Sequence, residues 1–522
     1  MSHLRFAMLL AVYACLASSC STMRTDFVKQ DTQAIAPVED TSSARYIAAE
    51  LRNHPNQSGF RLLAKSTDAL MSRIALADRA EHSIDLQYYI FKNDATGRLL
   101  AQHLLAAADR GVRVRILLDD ITLSHQDRML DALDVHENIE VRLFNPYRTR
   151  SPSLLSKIGQ FLLEGSRLNR RMHNKSFIVD GDVAIIGGRN IGDDYFDAGN
   201  DTHFRDLDVI AIGPVVPEAS KVFDDYWNCD AAFPVKALGD AKDPKGALEH
   251  LRAALSRDTR KFEQSDYARD VLDELPDGAT ANRWGEWYWG TGETIADQPE
   301  KIESRKDDPE LRIGPKLKAM IDGAQHEVLM TTPYFVPGKT GTAFLKSVAE
   351  RGVTVKVLTN SLASTDETAA HAGYSHYRPE LLAAGIDLFE LRPSSGQQPV
   401  TTGGTSSGVS LHAKSVVVDG HAVFIGSLNL DQRSKSLNTE MGVIIDSPKL
   451  AEAVAHFFSS ATSADSAFHV TLAKQPSGAS SRLEWSWEEG GKQCEDFLDP
   501  DTTAKRRAEV ALLRLLPIEG LL

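Results

Sequence analysis

The sequence predicts an α/β protein of two similar units, each a mixed sheet with helices on both faces, arranged about a pseudo-twofold axis. Three observations predict it. The pattern His-x-Lys-x-x-x-x-Asp occurs twice, as HNKSFIVD at 173–180 and HAKSVVVD at 412–419. Each copy runs on into the same small residue and amide, Gly187 and Asn190 in IIGGRN, Gly426 and Asn429 in FIGSLN. Upstream of each copy the same strand, helix, strand order appears: SIDLQYYIF, GRLLAQHLLAAADRG and VRVRILLD before the first, HEVLMTTPYFV, TAFLKSVAERG and VTVKVLTN before the second. With 522 residues the chain also exceeds the ~250–300 at which a single core stops growing.

SFIVDGDVAIIG and SVVVDGHAVFIG each read as two β-branched runs joined by Asp-Gly, the pair that best tolerates positive φ in a hairpin turn. Asp180 and Asp419 are therefore turn residues first, ranked below the other motif members. Side chains alternate along a strand, so His173 shares a face with Lys175, and His412 with Lys414. With a two-residue loop, His173 would lie across from Gly188 and His412 from Ser427, small residues that leave room for a substrate. Asn190 and Asn429 could cap a following helix whose free N–H groups favour an anion. Two cations, two imidazoles and two amides describe a phosphate pocket.

This constellation resembles the phospholipase D superfamily, whose members build one active site from two such motifs. The stretches FRDLDVIAIGPVV, HAGYSHYRPELLAAGIDLFELRP and LLRLLPIEGLL are similar to the branch containing bacterial cardiolipin synthases of the C type. The resemblance implies two phospholipase D-like αβαβα sandwich domains and a phosphohistidine intermediate. One histidine attacks phosphorus, the other protonates the leaving alcohol, and Lys175, Lys414, Asn190 and Asn429 hold the non-bridging oxygens. No metal or other cofactor is implied. In family members an acidic residue follows each motif by roughly thirty positions and fixes the tautomer of the imidazole. Asp206 and Glu440 occupy those places, each three residues ahead of an apolar strand position; Asp208 competes with Asp206. The implied activity is phosphatidyl transfer that forms cardiolipin. Water in place of the alcohol would give a hydrolytic phospholipase D, and a nuclease-type phosphodiesterase or a non-enzymatic lipid-binding protein rank lower.

Composition agrees with a lipid rather than a nucleic-acid partner. Lys+Arg number 58 against Asp+Glu 72, a formal charge of −14, where bulk nucleic-acid binding favours a basic chain. Phosphatidylglycerol, with phosphatidylethanolamine a further candidate, and a membrane surface are the partners expected. The amino terminus, MSHLRFAMLLAVYACLASSC, reads as a secretory signal, and Ala17-Ser18-Ser19-Cys20 resembles a lipoprotein processing box with Cys20 lipidated. This predicts a lipid-anchored protein of the bacterial envelope facing the periplasm. Cys229 and Cys494 would then be left either to pair or to remain separate thiols.

Domain organisation follows as a signal segment 1–20, a flexible tether 21–45, a first unit 46–235, a connector 236–308, a second unit 309–465 and a segment 466–522 that closes over the junction. The three tryptophans of ANRWGEWYWG in the connector are read as packing residues in preference to a substrate wall. The basic, apolar stretch 148–172 reads either as an interfacial helix receiving anionic lipid or as a helix covering the sheet. His371, Tyr374 and Arg378 fall on one helix face, where they contact a head group or simply pack.

Overall fold

A computed structural model describes residues 29–121, 127–147, 164–199, 202–238, 244–273, 286–304, 308–393, 408–473, 482–516 and 520. Cys20, the signal segment and most of the 148–172 stretch lie outside these residues. Among the described residues no helix is long and apolar enough to cross a membrane.

The two units have the same strand order. Across the first sheet run Ser58–Leu63, Asp208–Ile212, Val183–Gly187, Ser176–Val179, Ser83–Tyr88, Arg113–Asp119, Ile139–Phe144 and Ala232–Pro234. Across the second run Tyr288–Ala296, Met441–Asp446, Ala422–Gly426, Ser415–Val418, Glu327–Thr331, Thr354–Asn360, Asp387–Leu391 and Ala467–Ala473. In both, three parallel strands sit beside antiparallel ones, the mixed sheet expected. Central strands such as Ser83–Tyr88 and Val183–Gly187 are buried on both faces, which is why Val183–Gly187 reads as a continuous apolar run, whereas Ser83–Tyr88 alternates and buries Asp85 and Gln87 on its second face.

Helices cover both faces of each sheet. The outer core of the first unit gathers Leu70, Leu104, Ile116 and Leu130, and that of the second Leu317, Val348, Val357 and Leu381. The inner faces share a third core, in which Phe60, Ile178 and Phe223 of the first unit join Val417, Val443 and Phe458 of the second. Helices Val215–Asn228 and Pro448–Ala461 fill this middle layer. Each fully buried Leu, Ile or Phe there is worth about 1.5–3 kcal/mol, so the units are held together by a core and not by surface contacts.

Three segments differ from their sequence reading. The stretch taken as a connector contains the strand Tyr288–Ala296, whose first residues pair with Ser58–Phe60 and whose remainder pairs with Met441–Asp446. It joins both sheets into one, and its helix Pro244–Glu263 packs against Ala95–Asp109. Gly290 and Gly292 obscure it, because they replace the side chains that carry alternation: a Cβ at Gly290 would meet the Asp446 carbonyl, and one at Gly292 the Phe60 ring. Trp287 is buried in the first core and Trp289 stacks on His54, 3.9 Å between ring centroids.

The segment read as a flexible tether is docked from residue 29 onward. Its backbone carbonyls are taken by side-chain donors, Thr32 O by the buried Arg115 at 2.9 Å and the half-buried Asn228 at 3.0 Å, and Gln30 O by the buried Arg142 at 2.5 Å. Trp227 Nε1 donates to the Thr32 hydroxyl, and Ala34 N–H to Asp224. Attachment through backbone groups leaves no periodicity in the side chains, so composition alone reads as linker.

The third segment, expected to close over the junction, instead extends the second sheet at the edge opposite the shared strand, through Ala467–Ala473, Arg482–Glu489 and Lys492–Asp496. Helix Ala504–Leu513 then docks on Thr368–Ser375. His371 and Arg378 serve this docking, while Tyr374 is buried in the core of the second unit. Arg378 bonds Glu390 and Asp499, both at 2.9 Å, and His371 reaches Asp499 at 3.3 Å. Trp485 Nε1 donates to Glu390. Cys229 and Cys494 are separate free thiols.

Candidate active site

Each motif lies at the start of a hairpin, but the loops have three residues rather than two. Val179 pairs with Val183 and Val418 with Ala422, leaving Asp180-Gly181-Asp182 and Asp419-Gly420-His421 between them. Both Asp residues have positive φ, 52° and 51°, and both Gly follow at 68°. The motif Asp is a clamp: Asp180 accepts from the N–H groups of Glu81, His82 and Ser83, and Asp419 from those of Gln325, His326 and Glu327. Each thereby ties its hairpin to the start of the neighbouring strand. Three N–H donors overcome burial to hold the Asp419 carboxyl below its ordinary range.

The catalytic-type residues all converge at the seam between the units. Strand Thr202–Arg205 pairs in parallel with Gly408–Leu411, and Met172 pairs with Thr439. His412 N–H then donates to Arg205 O, and His173 N–H to Thr439 O, both at 2.8 Å. Each histidine backbone is therefore anchored on the other unit.

The carboxylates follow the same exchange. Asp206, which follows the first motif, accepts from Nδ1 of His412 at 2.5 Å; Glu440, which follows the second, accepts from Nδ1 of His173 at 2.8 Å. Asp208, the competitor, is consumed elsewhere by Arg73 at 2.9 Å and Arg189 at 3.1 Å. Gly188 and Ser427 make room for these carboxylates rather than for a substrate. A Cβ on Gly188 would sit 2.3 Å from Asp206 Oδ1, while the Ser427 hydroxyl donates to Glu440 at 2.5 Å. The three-residue loop shifts the register by one position, which removes these residues from opposite the histidines.

Lys175 and Lys414 are buried and each donates from Nζ to the carbonyl of its own motif histidine. Burial pushes Lys175 down to about 7 and Lys414 to about 8, with Glu440 and Asp206 opposing in both and Lys414 further depressing Lys175. Burial, then both lysines and Arg433, hold His173 well below its ordinary value. Burial and Lys414 lower His412 to about 4, with Asp206 pulling the other way. Burial alone would raise Asp206, but His412 and Lys414 outweigh it and keep the carboxyl below the usual range. Glu440 is pushed up by burial despite Lys175. These are two carboxylates and two cations in a dry site, in electrostatic reach of one another, where a bound anion would raise both imidazoles.

Asn190 and Asn429 are not helix caps. Asn190 Oδ1 accepts from Ile90 N–H at 3.1 Å, and the helix Gln432–Ser436 is capped by Asp431, which accepts from Ser434 N–H at 2.6 Å. Asn190 Nδ2 and Asn429 Oδ1 are buried without a protein partner. Four neighbours carry no motif and escape a reading of the sequence. Tyr89 meets His173 edge-on at 4.8 Å, and Tyr195 and Phe204 each lie 5.2 Å from His412, centroid to centroid. Arg433 crosses to the first unit to bond Asn169. Of these only Phe204 had a signal, its place two residues before Asp206, on the strand that ends at Arg205. Among the described residues no group of three or more His, Cys, Asp or Glu is arranged to hold a metal ion. Of the basic 148–172 stretch, Arg170 and Arg171 are turned inward, Arg170 donating to the carbonyls of Ile302 and Ser304 and Arg171 to that of Asn145.

Comparison with known proteins agrees with this geometry. A family model described as "Cardiolipin synthase, PLD-like domain" matches residues 74–227 and 317–462, the two motif-bearing halves. The chain is 41% identical to cardiolipin synthase C of Escherichia coli over 484 residues, 90% of this chain and 97% of that one. An uncharacterized protein of Helicobacter pylori is 34% identical over 90% of this chain and 91% of its own. Among solved structures, phosphatidylserine synthase of Haemophilus influenzae superposes with a TM-score of 0.56 at 12% identity, covering 91% of this chain and all of that one, a likeness of fold. With both halves matched by the family model and both motifs assembled into one seam, the chain belongs to the phospholipase D-like family of cardiolipin synthase domains.

Proposed function

We propose that this protein is a phosphatidyltransferase that forms cardiolipin through a phosphohistidine intermediate. The observation that carries the reading is the crossed pair, His173 on Glu440 and His412 on Asp206, within one buried, lysine-lined site. With Nδ1 bonded to a carboxylate, each imidazole offers Nε2 to the substrate.

The two environments favour different roles. His412 is backed by a carboxylate held firmly ionised, which stabilises an imidazolium; it suits the general acid. His173 is held neutral by burial, two lysines and Arg433; it suits the nucleophile. His173 attacks phosphorus, the P–O bond to the leaving alcohol breaks, and His412 gives that oxygen its proton. The hydroxyl of phosphatidylglycerol next yields its proton to His412 and attacks phosphorus, and the P–N bond breaks to restore His173. Lys175, Lys414, Asn190 and Asn429 hold the non-bridging oxygens, where negative charge develops. Hydrolysis differs only in admitting water at the second step. Lipidation of Cys20 and an envelope location belong to the same reading, supported by the leader sequence.

The test is to incubate the purified protein with phosphatidylglycerol, with and without phosphatidylethanolamine, and to identify products by mass. Cardiolipin is the expected product. Phosphatidic acid alone would assign the hydrolytic activity, and no lipid product would set the reading aside.

A further inference from the structure

The eight site residues are arranged with near symmetry; the space beside them is not. In the second unit a cavity of about 410 Å³ lies between helix Gly314–Asp322, helix Gly338–Glu350 and the loop that follows the second motif. Its wall is largely apolar, formed by Leu317, Ile321, Met330, Phe335, Leu345 and Leu428. It extends to Asn429, whose buried Oδ1 has no protein partner. Lys318 and Lys435, both exposed, stand among its lining residues.

At the equivalent position the described residues of the first unit are packed side chains. The helix equivalent to Gly314–Asp322 is Ser66–Arg79, 14 residues against 9, and it packs directly on Ala95–Asp109. Leu70, Ile74, Leu99 and Phe196 fill the space between helices and sheet. Protein interiors are close-packed, and an apolar void carries a cost of about 24 cal/mol per Å³ when nothing occupies it. A site of ~300–1,000 Å³, mostly apolar with a few convergent polar groups, is what a small apolar ligand requires.

We infer that this cavity receives one acyl chain of the phospholipid whose phosphodiester sits between His173 and His412. The inference rests on the phosphatidyl-transfer reading. Asn429 then stands where polar head meets apolar tail, its amide toward phosphate and its neighbours Leu428 and Leu430 toward the chain. At ~30 Å³ for a water-sized group, the volume holds on the order of a dozen methylenes, most of one membrane acyl chain. Lys318 and Lys435 at the rim suit the phosphates of surrounding anionic lipids. One half of the duplicated fold thus keeps a packed core, and the other opens its core to the substrate.

Two measurements on the full chain test this. Phosphatidylglycerol carrying a photoreactive diazirine on one acyl chain is irradiated with the unmodified protein in detergent micelles. Label is expected on peptides from 314–322 and 338–350; label confined to other peptides overturns the inference. Thr340, an exposed lining residue on the second helix, is then replaced. Thr340→Trp should lower both labelling and kcat/KM on long-chain phosphatidylglycerol about ten-fold, while turnover of the soluble diester bis(p-nitrophenyl) phosphate is unchanged. Equal loss on both substrates, or unchanged long-chain turnover, also overturns it. Label in the cavity without any lipid product would instead count against the transfer reading and leave the cavity's ligand standing.

Discussion

The two halves of this molecule carry the same motif on the same eight strands, yet their histidines live in different company. His412 leans on an aspartate that sits against a glycine; His173 leans on a glutamate that also accepts from a serine. The longer glutamate needs a hydroxyl to steady it, while the shorter aspartate needs a vacancy beside it to fit. Duplication therefore preserves the roles of imidazole and lysine while letting each supporting pair drift as a unit. What remains equal is the position of Nδ1, and what differs is how strongly each ring holds a proton.

The largest test of that difference is removal of either ring. His173→Ala and His412→Ala should each lower turnover of phosphatidylglycerol by about 10³ or more, and the double variant by no more than the worse single one, because the pair acts as one unit. A substrate with a p-nitrophenol leaving group, which departs unprotonated, separates them. His412→Ala should still give a stoichiometric burst of p-nitrophenol, followed by a stalled phosphohistidine, whereas His173→Ala gives none. A burst in the His173 variant alone would reverse the assignment.

A smaller effect is expected from pH. An anionic phosphodiester requires charged lysines, and in the free enzyme Lys175 is charged below about 7 and Lys414 below about 8. Since kcat/KM reports the free enzyme, it should fall as pH rises through this window, about ten-fold per unit once the first lysine is lost. Lys175→Met should leave only the upper step. A profile flat from pH 7 to 9 would show that both lysines stay charged and that their burial is relieved by solvent.

The smallest effects concern the supporting pairs. Gly188→Ala forces a methyl against Asp206 and should destabilise the fold by about 1–3 kcal/mol in chemical denaturation. Ser427→Ala removes one donor from Glu440 and the acceptor of the Met441 N–H without forcing any atom into contact, a loss of about 1 kcal/mol. Equal losses would mean that the two halves tolerate change alike.

The sequence displayed the strands, the hairpins and the paired motifs, because each is local and periodic. The same residues also pointed to Asp206 and Glu440, but not to the partner of each. The exchange depends on Thr202–Arg205 meeting Gly408–Leu411, a pairing between segments some two hundred residues apart that carries no local signature. Loop length was illegible for a related reason: Asp-Gly fits two-residue and three-residue turns equally, and the carboxylate clamp on Glu81, His82 and Ser83 selects the longer one. Residues 30–34 attach mainly through backbone carbonyls and N–H groups, and Tyr288–Ala296 is interrupted by glycines, so both read as linker. Tyr89 reaches His173 from a loop and Tyr195 reaches His412 from the short 3-10 helix Asp193–Tyr195, and neither belongs to a repeated pattern.

The crossed carboxylates have a consequence for the newly made chain. As the polypeptide emerges, the first unit can complete its sheet before the second exists, but its His173 then lacks Glu440 and its Asp206 faces no imidazole. Neither histidine is oriented until both halves are folded and sealed along the strand Tyr288–Ala296. A half-built protein is thus inert toward phosphodiesters, and a lipid-cleaving activity is armed only by the last step of its own assembly.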